Sequence, residues 1–141
     1  MPVQRTFAII KPDAVAKPGA TGEILRRIED RGLAIVGLKR LHMTQQQAQG
    51  FYAVHSERPF FSSLIEFMTS GPVVLMTLRG ENAIARWRDL MGPTDATQAG
   101  PDTVRGRFGT NIERNASHGS DATDTAAFET AHFFSCFDRI G

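Results

Sequence analysis

One cysteine, one tryptophan and one tyrosine are all that this chain of 141 residues holds of those types. A lone thiol, Cys136, cannot close an intrachain disulfide. Its place in the apolar run "AHFFSCF" reads as a small buried hydrophobe rather than a nucleophile. That usage suits a reducing compartment. Long hydrophobic runs are missing as well. "MPVQRTFAIIKPD" holds only a short apolar stretch, too short for a secretory signal, and nothing approaches the length of a membrane span. The expectation is a cytoplasmic protein with no membrane role. An excess of one charge is missing too: 16 basic residues face 15 acidic ones, for a formal net charge of +1. No broad field therefore recruits nucleic acid or an anionic membrane, and any anion site must be built locally from a few converging basic groups.

The common phosphate loops are also missing. No G-x-x-x-x-G-K-[ST] occurs, and the glycines after the first apolar stretch do not form G-x-G-x-x-G. A nucleotide, if bound, has to be held by side chains. His42, His55 and His132 are widely spaced with no i, i+4 pairing, so no residue is assigned as a metal ligand.

What is there is an ordinary globular balance, 41% hydrophobic and 22% charged, at a length that suits one domain over residues 1–141. "RTFAIIKPD" reads as a strand ended by Lys11-Pro12. "EILRRIEDRG" is helical, with Ile24, Leu25 and Ile28 on one face and Gly32 as its stop. "LAIVGLKRLHM" is a second strand. Thr44 and Gln47 have capping-box spacing ahead of a helix that carries Phe51 and Tyr52. Phe61, Leu64, Ile65 and Met68 mark another helix, "VVLMTL" a buried strand, and "ENAIARWRDLM" a helix packing Ile84, Trp87 and Met91. From Gly92 to Ser117 the periodicity is weak, and so long a connection is usually functional or disordered. A helix near residues 121–130 and a last strand, "HFFSCF", finish the chain. This βαββαβ plan predicts an α/β fold of the α+β sandwich kind: ferredoxin-like, with an antiparallel four-stranded sheet, extra helices and a long active-site loop.

Lys11, Arg88, Arg105 and Arg107 are the basic candidates; Lys11, at a strand end before proline, has the best-defined exit direction. His118 is the sharper candidate. It is followed by Gly119, which permits backbone conformations closed to other residues, and by Ser120 and Asp121, both good N-caps. A helix N-terminus there would favour an anion such as phosphate. On the motif alone His118 stays open between a reactive histidine and a loop residue. Tyr52 and Phe60 flank "AVHSERP", where core packing and a rim aromatic for a nucleobase are both open.

Taken together, "RTFAIIKPDAV", "GEILRRIEDRGL", "FYAVHSERPFF", "MTSGPVVLMTLRGENA" and "NASHGSD" make the chain resemble a nucleoside diphosphate kinase over essentially its whole length. The last block matches the family signature N-x-x-H-G-S-D. The resemblance implies transfer of the γ-phosphoryl group from a nucleoside triphosphate to a nucleoside diphosphate, by a ping-pong cycle through a phosphohistidine at His118. It implies that Lys11, Phe60, Arg88, Thr94, Arg105 and Asn115 bind the nucleotide, Phe60 by stacking on the base. It places Tyr52 beside the histidine and makes Ser120 and Glu129 the pair that supports and orients it. Mg²⁺ would be carried on the nucleotide phosphates.

The resemblance also implies a homo-oligomer, with tetramer and hexamer both open, and no dedicated nucleic-acid site. Asp102 stands where the family usually has glycine, Arg107 where an acidic residue or lysine is common, and Ala122 where serine is frequent. These departures touch the local loop conformation and subunit contacts. The tail "FSCFDRIG" is also unlike the family's tails. The alternative function is a catalytically silent nucleotide-binding module of the same fold, which would be expected to have lost His118 or a phosphate ligand. A nucleic-acid-binding ferredoxin-like domain would want an RNP-type aromatic run, which this chain lacks.

Overall fold

The first apolar stretch forms β1 (Val3–Ile10), and its inner five residues, Thr6 to Ile10, are fully buried. The computed structural model of the protein describes residues 3–134. Lys11 leads into a short helix, α1 (Pro12–Val15), with Pro12 at the first position, where its missing N–H leaves no hydrogen bond unmade. Next comes α2 (Ala20–Asp30), closed by Gly32 in the left-handed region at φ +77°. β2 (Ala34–Leu41) follows, then α3 (Gln45–Phe51). The Thr44–Gln47 capping box forms reciprocally, with Gln47 N–H donating to Thr44 Oγ1 at 3.1 Å and Thr44 N–H to Gln47 Oε1 at 2.9 Å. A 3₁₀ turn at Ala53–His55 leads to α4 (Phe61–Met68), β3 (Val73–Glu81) and α5 (Ala83–Met91).

The stretch from Gly92 to Ser117 is not structureless. It holds a 3₁₀ turn at Ala96–Gln98 and a short helix, α6 (Val104–Phe108). Side chains of the first half of the chain fasten it down. Lys17 donates to the Phe108 carbonyl at 2.5 Å, Arg27 to the Asp102 carbonyl at 2.8 Å, and Arg107 pairs with Glu23 at 3.0 Å. Two of the positions that depart from the family pattern, Asp102 and Arg107, thus sit in one seam with α2.

The fourth strand is not the one expected. β4 is Ser117–Gly119, three residues that pair antiparallel with Ala8–Ile10. The run "HFFSCF" begins inside α7 (Thr123–Phe133) instead. Its aromatics favour a strand by composition, but Phe133 stacks on Phe7 (5.9 Å between centroids, 8° between planes), so packing onto the sheet decides the helix. Ser135, Cys136 and Phe137 of that run lie outside the described residues. The sheet order is β2-β3-β1-β4 with every pair antiparallel, the ferredoxin-like arrangement.

Both faces of the sheet are covered. Ala8, Ile10, Val74, Met76 and Leu78 pack with Ile24 and Ile28 of α2 and Trp87 and Leu90 of α5. Phe7, Ile9, Val73 and Leu75 pack on the other side with Phe51, Ile65 and Met68. Because α3 and α4 cover the second face, β1 and β3 read as near-continuous apolar runs instead of alternating ones.

Two expectations about "HGSDATD" change with the structure. Neither Ser120 nor Asp121 caps α7. The N-cap is Ala122, and the Thr125 hydroxyl supplies the acceptor, taking the Ala122 N–H at 2.9 Å and the Asp121 N–H at 3.2 Å. Gly119 is not among the residues with positive φ. It is needed for space: a Cβ there would meet Trp87 and Met91 at 2.6 Å. Gly119→Ala should therefore destabilise the protein by about 1–3 kcal/mol through overpacking, which urea unfolding would read as a lower midpoint.

Candidate active site

His118 stands in the middle of β4, opposite Ile9, with its side chain 22% exposed. Its backbone carbonyl accepts a hydrogen bond from Trp87 Nε1 at 3.1 Å. Its ring meets α7 through Glu129, the seventh residue of that helix, and not through the helix N-terminus. Nε2 lies 3.0 Å from Glu129 Oε1, which also accepts a hydrogen bond from Ser120 Oγ at 2.7 Å. Ser120 is held in turn by β1, taking the Phe7 N–H on its hydroxyl at 3.3 Å and donating its own N–H to the Phe7 carbonyl at 3.2 Å. The carboxylate assigns the ring proton to Nε2 and leaves the lone pair on Nδ1, which has no hydrogen-bond partner among the described residues.

Aromatic edges steady the ring. Phe51 lies 5.5 Å from it, Tyr52 6.4 Å and Phe7 6.5 Å, all edge-on. The Tyr52 hydroxyl is buried without a partner among the described residues. Burial, aided by the charge of Glu129, pushes its pKa up, so the O–H stays protonated and able to donate.

Three cations attach to the chain on either side of His118. Arg105 donates to the Ser117 carbonyl and to the Gly92 carbonyl, each at 3.0 Å. Arg88 reaches the Gly119 carbonyl at 3.5 Å and pairs with Asp121 at 2.9 Å. Lys11, 8% exposed, donates from its ammonium to Asn115 Oδ1 at 2.8 Å, and its backbone N–H goes to the Ala116 carbonyl at 2.8 Å. Their charges feel one another. Burial, with Arg105 adding, pushes Lys11 down to about 8, against partial relief from Asp13 and Glu113. Burial and the charge of Arg88 push Arg105 down to about 10. Arg105 Nε is buried with no partner among the described residues. Such a cluster favours a multiply charged anion.

The remaining predicted residues are placed as follows. The Asn115 amide nitrogen donates to the carbonyls of Thr94 at 2.9 Å and Ile112 at 3.1 Å, so Asn115 ties Lys11 to the loop while Thr94 itself is exposed. Phe60 is 46% exposed at the start of α4, its ring 5.5 Å from that of His55. Arg107 does not join the site, since Glu23 holds it. His42 is engaged by the Thr69 carbonyl, and His132 packs on Phe51 with Nε2 at 3.2 Å from the Gln47 carbonyl. Sequence reasoning missed the Phe7 and Phe51 walls, which read as plain core, and Asp13, whose carboxylate takes the Ala116 N–H at 3.0 Å. It also missed a clasp between the loop and α4: Ser63 donates to Glu113 at 2.9 Å, and the Arg114 guanidinium lies 4.9 Å from the Phe67 ring centre. Only the aspartate left a signal, two residues after the lysine of "KPD".

An antiparallel α+β sheet that presents a carboxylate-held histidine among clustered cations belongs to the class of phosphate-handling transferases. The family model described as nucleoside diphosphate kinase matches residues 4–138. A nucleoside diphosphate kinase of Trichlorobacter lovleyi is 55% identical over 139 residues, covering 99% of this chain and 100% of that protein. One from Desulfovibrio desulfuricans is 61% identical over 132 residues, 94% of each. Among solved structures, the Aquifex aeolicus nucleoside diphosphate kinase superposes with a TM-score of 0.95 at 46% identity, covering 99% of this chain and 100% of that one. The Halobacterium salinarum nucleoside diphosphate kinase in complex with CDP gives 0.92 at 41% identity, covering 98% and 91%. The chain belongs to the nucleoside diphosphate kinase family and transfers a phosphoryl group between nucleoside phosphates, by the ping-pong mechanism general to that family.

Lys11 provides a test of the site's electrostatics. Its ordinary value of 10.5 falls to about 8 in the folded protein, so between those values the unfolded chain binds more protons and stability rises with pH. Lys11→Met removes the effect. The stability of the parent relative to this variant should climb by on the order of 3 kcal/mol from pH 7.5 to pH 10.5. Denaturant unfolding at the two pH values checks it, and a constant difference would mean the ammonium carries no burial penalty.

Proposed function

We propose that Nδ1 of His118 is the atom that carries the phosphoryl group between the two half-reactions. Its lone pair attacks the γ-phosphorus of a nucleoside triphosphate. The bond from that phosphorus to the bridging oxygen breaks, and the diphosphate leaves with the electron pair. A terminal phosphate oxygen of a second nucleoside diphosphate then attacks the phosphohistidine and returns the lone pair to Nδ1. Glu129 holds Nε2–H throughout and stabilises the positive charge the ring gains when Nδ1 bonds to phosphorus. Ser120 holds the carboxylate in place.

The observation that carries this reading is the flanking of a carboxylate-fixed histidine by Lys11, Arg88 and Arg105, two of which have their charged forms disfavoured until an anion arrives. Lys11 and Arg105 would meet the transferring phosphates, with Arg88 exchanging Asp121 for phosphate. The Tyr52 hydroxyl would donate to a phosphate oxygen. Asn115 and Thr94 would complete the cradle for phosphate and sugar, and Phe60 would stack on the base without reading its edges, which permits broad nucleotide specificity.

Enzymes of this kind work with nucleotides that carry a divalent cation. The ion proposed here is Mg²⁺, brought in on the phosphates. Among the described residues no group of three or more His, Cys, Asp or Glu is gathered. That ion supplies positive charge to the phosphate oxygens while the basic side chains position them.

The reading extends to the whole protein: one domain over residues 1–141, assembled as a tetramer or hexamer and working in the cytoplasm. The edge strand β2, with Leu38 53% exposed, is a surface a second copy could cover. No helix of the described residues is long and apolar enough to cross a membrane.

Incubation with ATP and Mg²⁺ followed by intact mass at neutral pH should show an acid-labile phosphoryl adduct that disappears when GDP is added. His118→Ala should lose both adduct and transfer while keeping most nucleotide affinity, and retained turnover would remove this histidine from the mechanism. Glu129→Gln should slow phosphorylation by about 10- to 100-fold without unfolding the protein. A parent-like rate in a single-turnover assay would count against the orienting role.

A further inference from the structure

We infer that Asp13 is a positioning residue for phosphoryl transfer: its carboxylate holds the turn at Ala116 and, through that turn, the strand that aims His118. The inference rests on the reading of His118 as phosphoryl acceptor.

Ala116 is one of two non-glycine residues with positive φ among the described residues, at +72°, and it is fully buried. The Ser117 N–H donates to the Asn115 carbonyl at 2.9 Å across it, which makes Ala116 the centre of a γ-turn of the strained, positive-φ kind. A residue with a Cβ stays there only if its surroundings over-determine it. Both of its backbone groups are held by one segment. Asp13 Oδ2 takes the Ala116 N–H at 3.0 Å, and the Lys11 N–H donates to the Ala116 carbonyl at 2.8 Å. The neighbours on either side are functional. Asn115 accepts from the Lys11 ammonium, and Ser117 begins the three-residue strand that carries His118.

The carboxylate also eases the charge on Lys11, but its long-range hydrogen bond goes to this turn. Asp13 Oδ1 is buried with no hydrogen-bond partner among the described residues, and burial raises the acid's pKa. Keeping a carboxylate there costs stability, and what it holds is a turn of high conformational energy. Loss of the acceptor leaves the Ala116 N–H buried and unmatched, which favours relaxation of φ to a negative value. That relaxation shifts Ser117 against Ile10 and moves the Asn115 amide away from Lys11.

Glycine at 116 adopts φ > 0 without strain, so it separates a clamp on the turn from a general structural role. The test measures single-turnover phosphorylation by ATP with Mg²⁺, steady-state kcat and KM, and thermal unfolding. It is applied to the parent, Asp13→Ala, Asp13→Asn, Ala116→Gly and the Asp13→Ala/Ala116→Gly double variant. Asp13→Ala should slow phosphorylation by about 10- to 100-fold, lowering kcat by more than it raises KM, because a small misplacement of the acceptor suffices. Asp13→Asn keeps an acceptor oxygen and should retain more of the rate. In the double variant the rate should recover at least ~3-fold over Asp13→Ala, because glycine holds the turn unaided. A parent-like phosphorylation rate in Asp13→Ala overturns the proposal. So does a double variant no faster than Asp13→Ala, which would make the aspartate a general support of the fold. Absence of any adduct on the parent would instead count against the phosphohistidine itself, so the two failures are told apart.

Discussion

Three residues of edge strand hold the proposed phosphoryl acceptor in place. β4 pairs only Ser117, His118 and Gly119 with Ile10, Ile9 and Ala8, yet the ring of His118 and the hydroxyl of Ser120 take their positions from that ladder, whose near end is held by the turn at Ala116. Its partner, β1, lies between β3 and β4, and the residues that pair with β4 are fully buried, so the histidine is mounted against the core of the sheet. Trp87 braces β4 from the far side, by its indole N–H to the His118 carbonyl and by the close approach that leaves room for no side chain at position 119. A site on such an element is held more tightly than one on a mobile loop.

Electrostatics pulls the other way. Lys11 and Arg105 are buried near each other, and Arg105 near Arg88, an arrangement that costs stability and that a bound anion would relieve. Most of the groups that could compensate are themselves part of the apparatus. Asn115 takes a hydrogen bond from Lys11, backbone carbonyls of Gly92 and Ser117 take two from Arg105, and the exposed Asp121 takes one from Arg88. An exposed ion pair such as Arg88–Asp121 is worth little in water and is easily exchanged for a phosphate. In the proposed reading, Arg105 on backbone carbonyls, Lys11 on the Asn115 side chain and the loosely held Arg88 would stand in for the glycine-rich loop that the sequence lacks.

The residues that depart from the family pattern find ordinary work. Arg107 pairs with Glu23, and the backbone carbonyl of Asp102 accepts from Arg27, so both help lay the long connection against α2. Ala122 cannot cap α7 with its side chain, and Thr125 does so from inside the helix. None of these contacts touches His118 directly.

By itself the sequence determined the element order as far as α5, the helix stop at Gly32, the capping box at Thr44 and the apolar faces that pack α2, α4 and α5. These follow from local rules: hydrophobic period, backbone freedom and short-range hydrogen bonds. It also determined the family, because five blocks in order leave little room for another. Tertiary structure alone decided which segment closes the sheet. "SHG" is too short to announce itself as a strand, whereas "HFFSCF" announces itself and its first two residues end a helix, with Phe133 packed on Phe7. It alone decided that Arg107 faces α2, that Gly119 is required for space, and that Asp13 reaches Ala116 across 103 positions of chain. Each of these depends on contacts between residues far apart in sequence, and no local pattern encodes a distant partner.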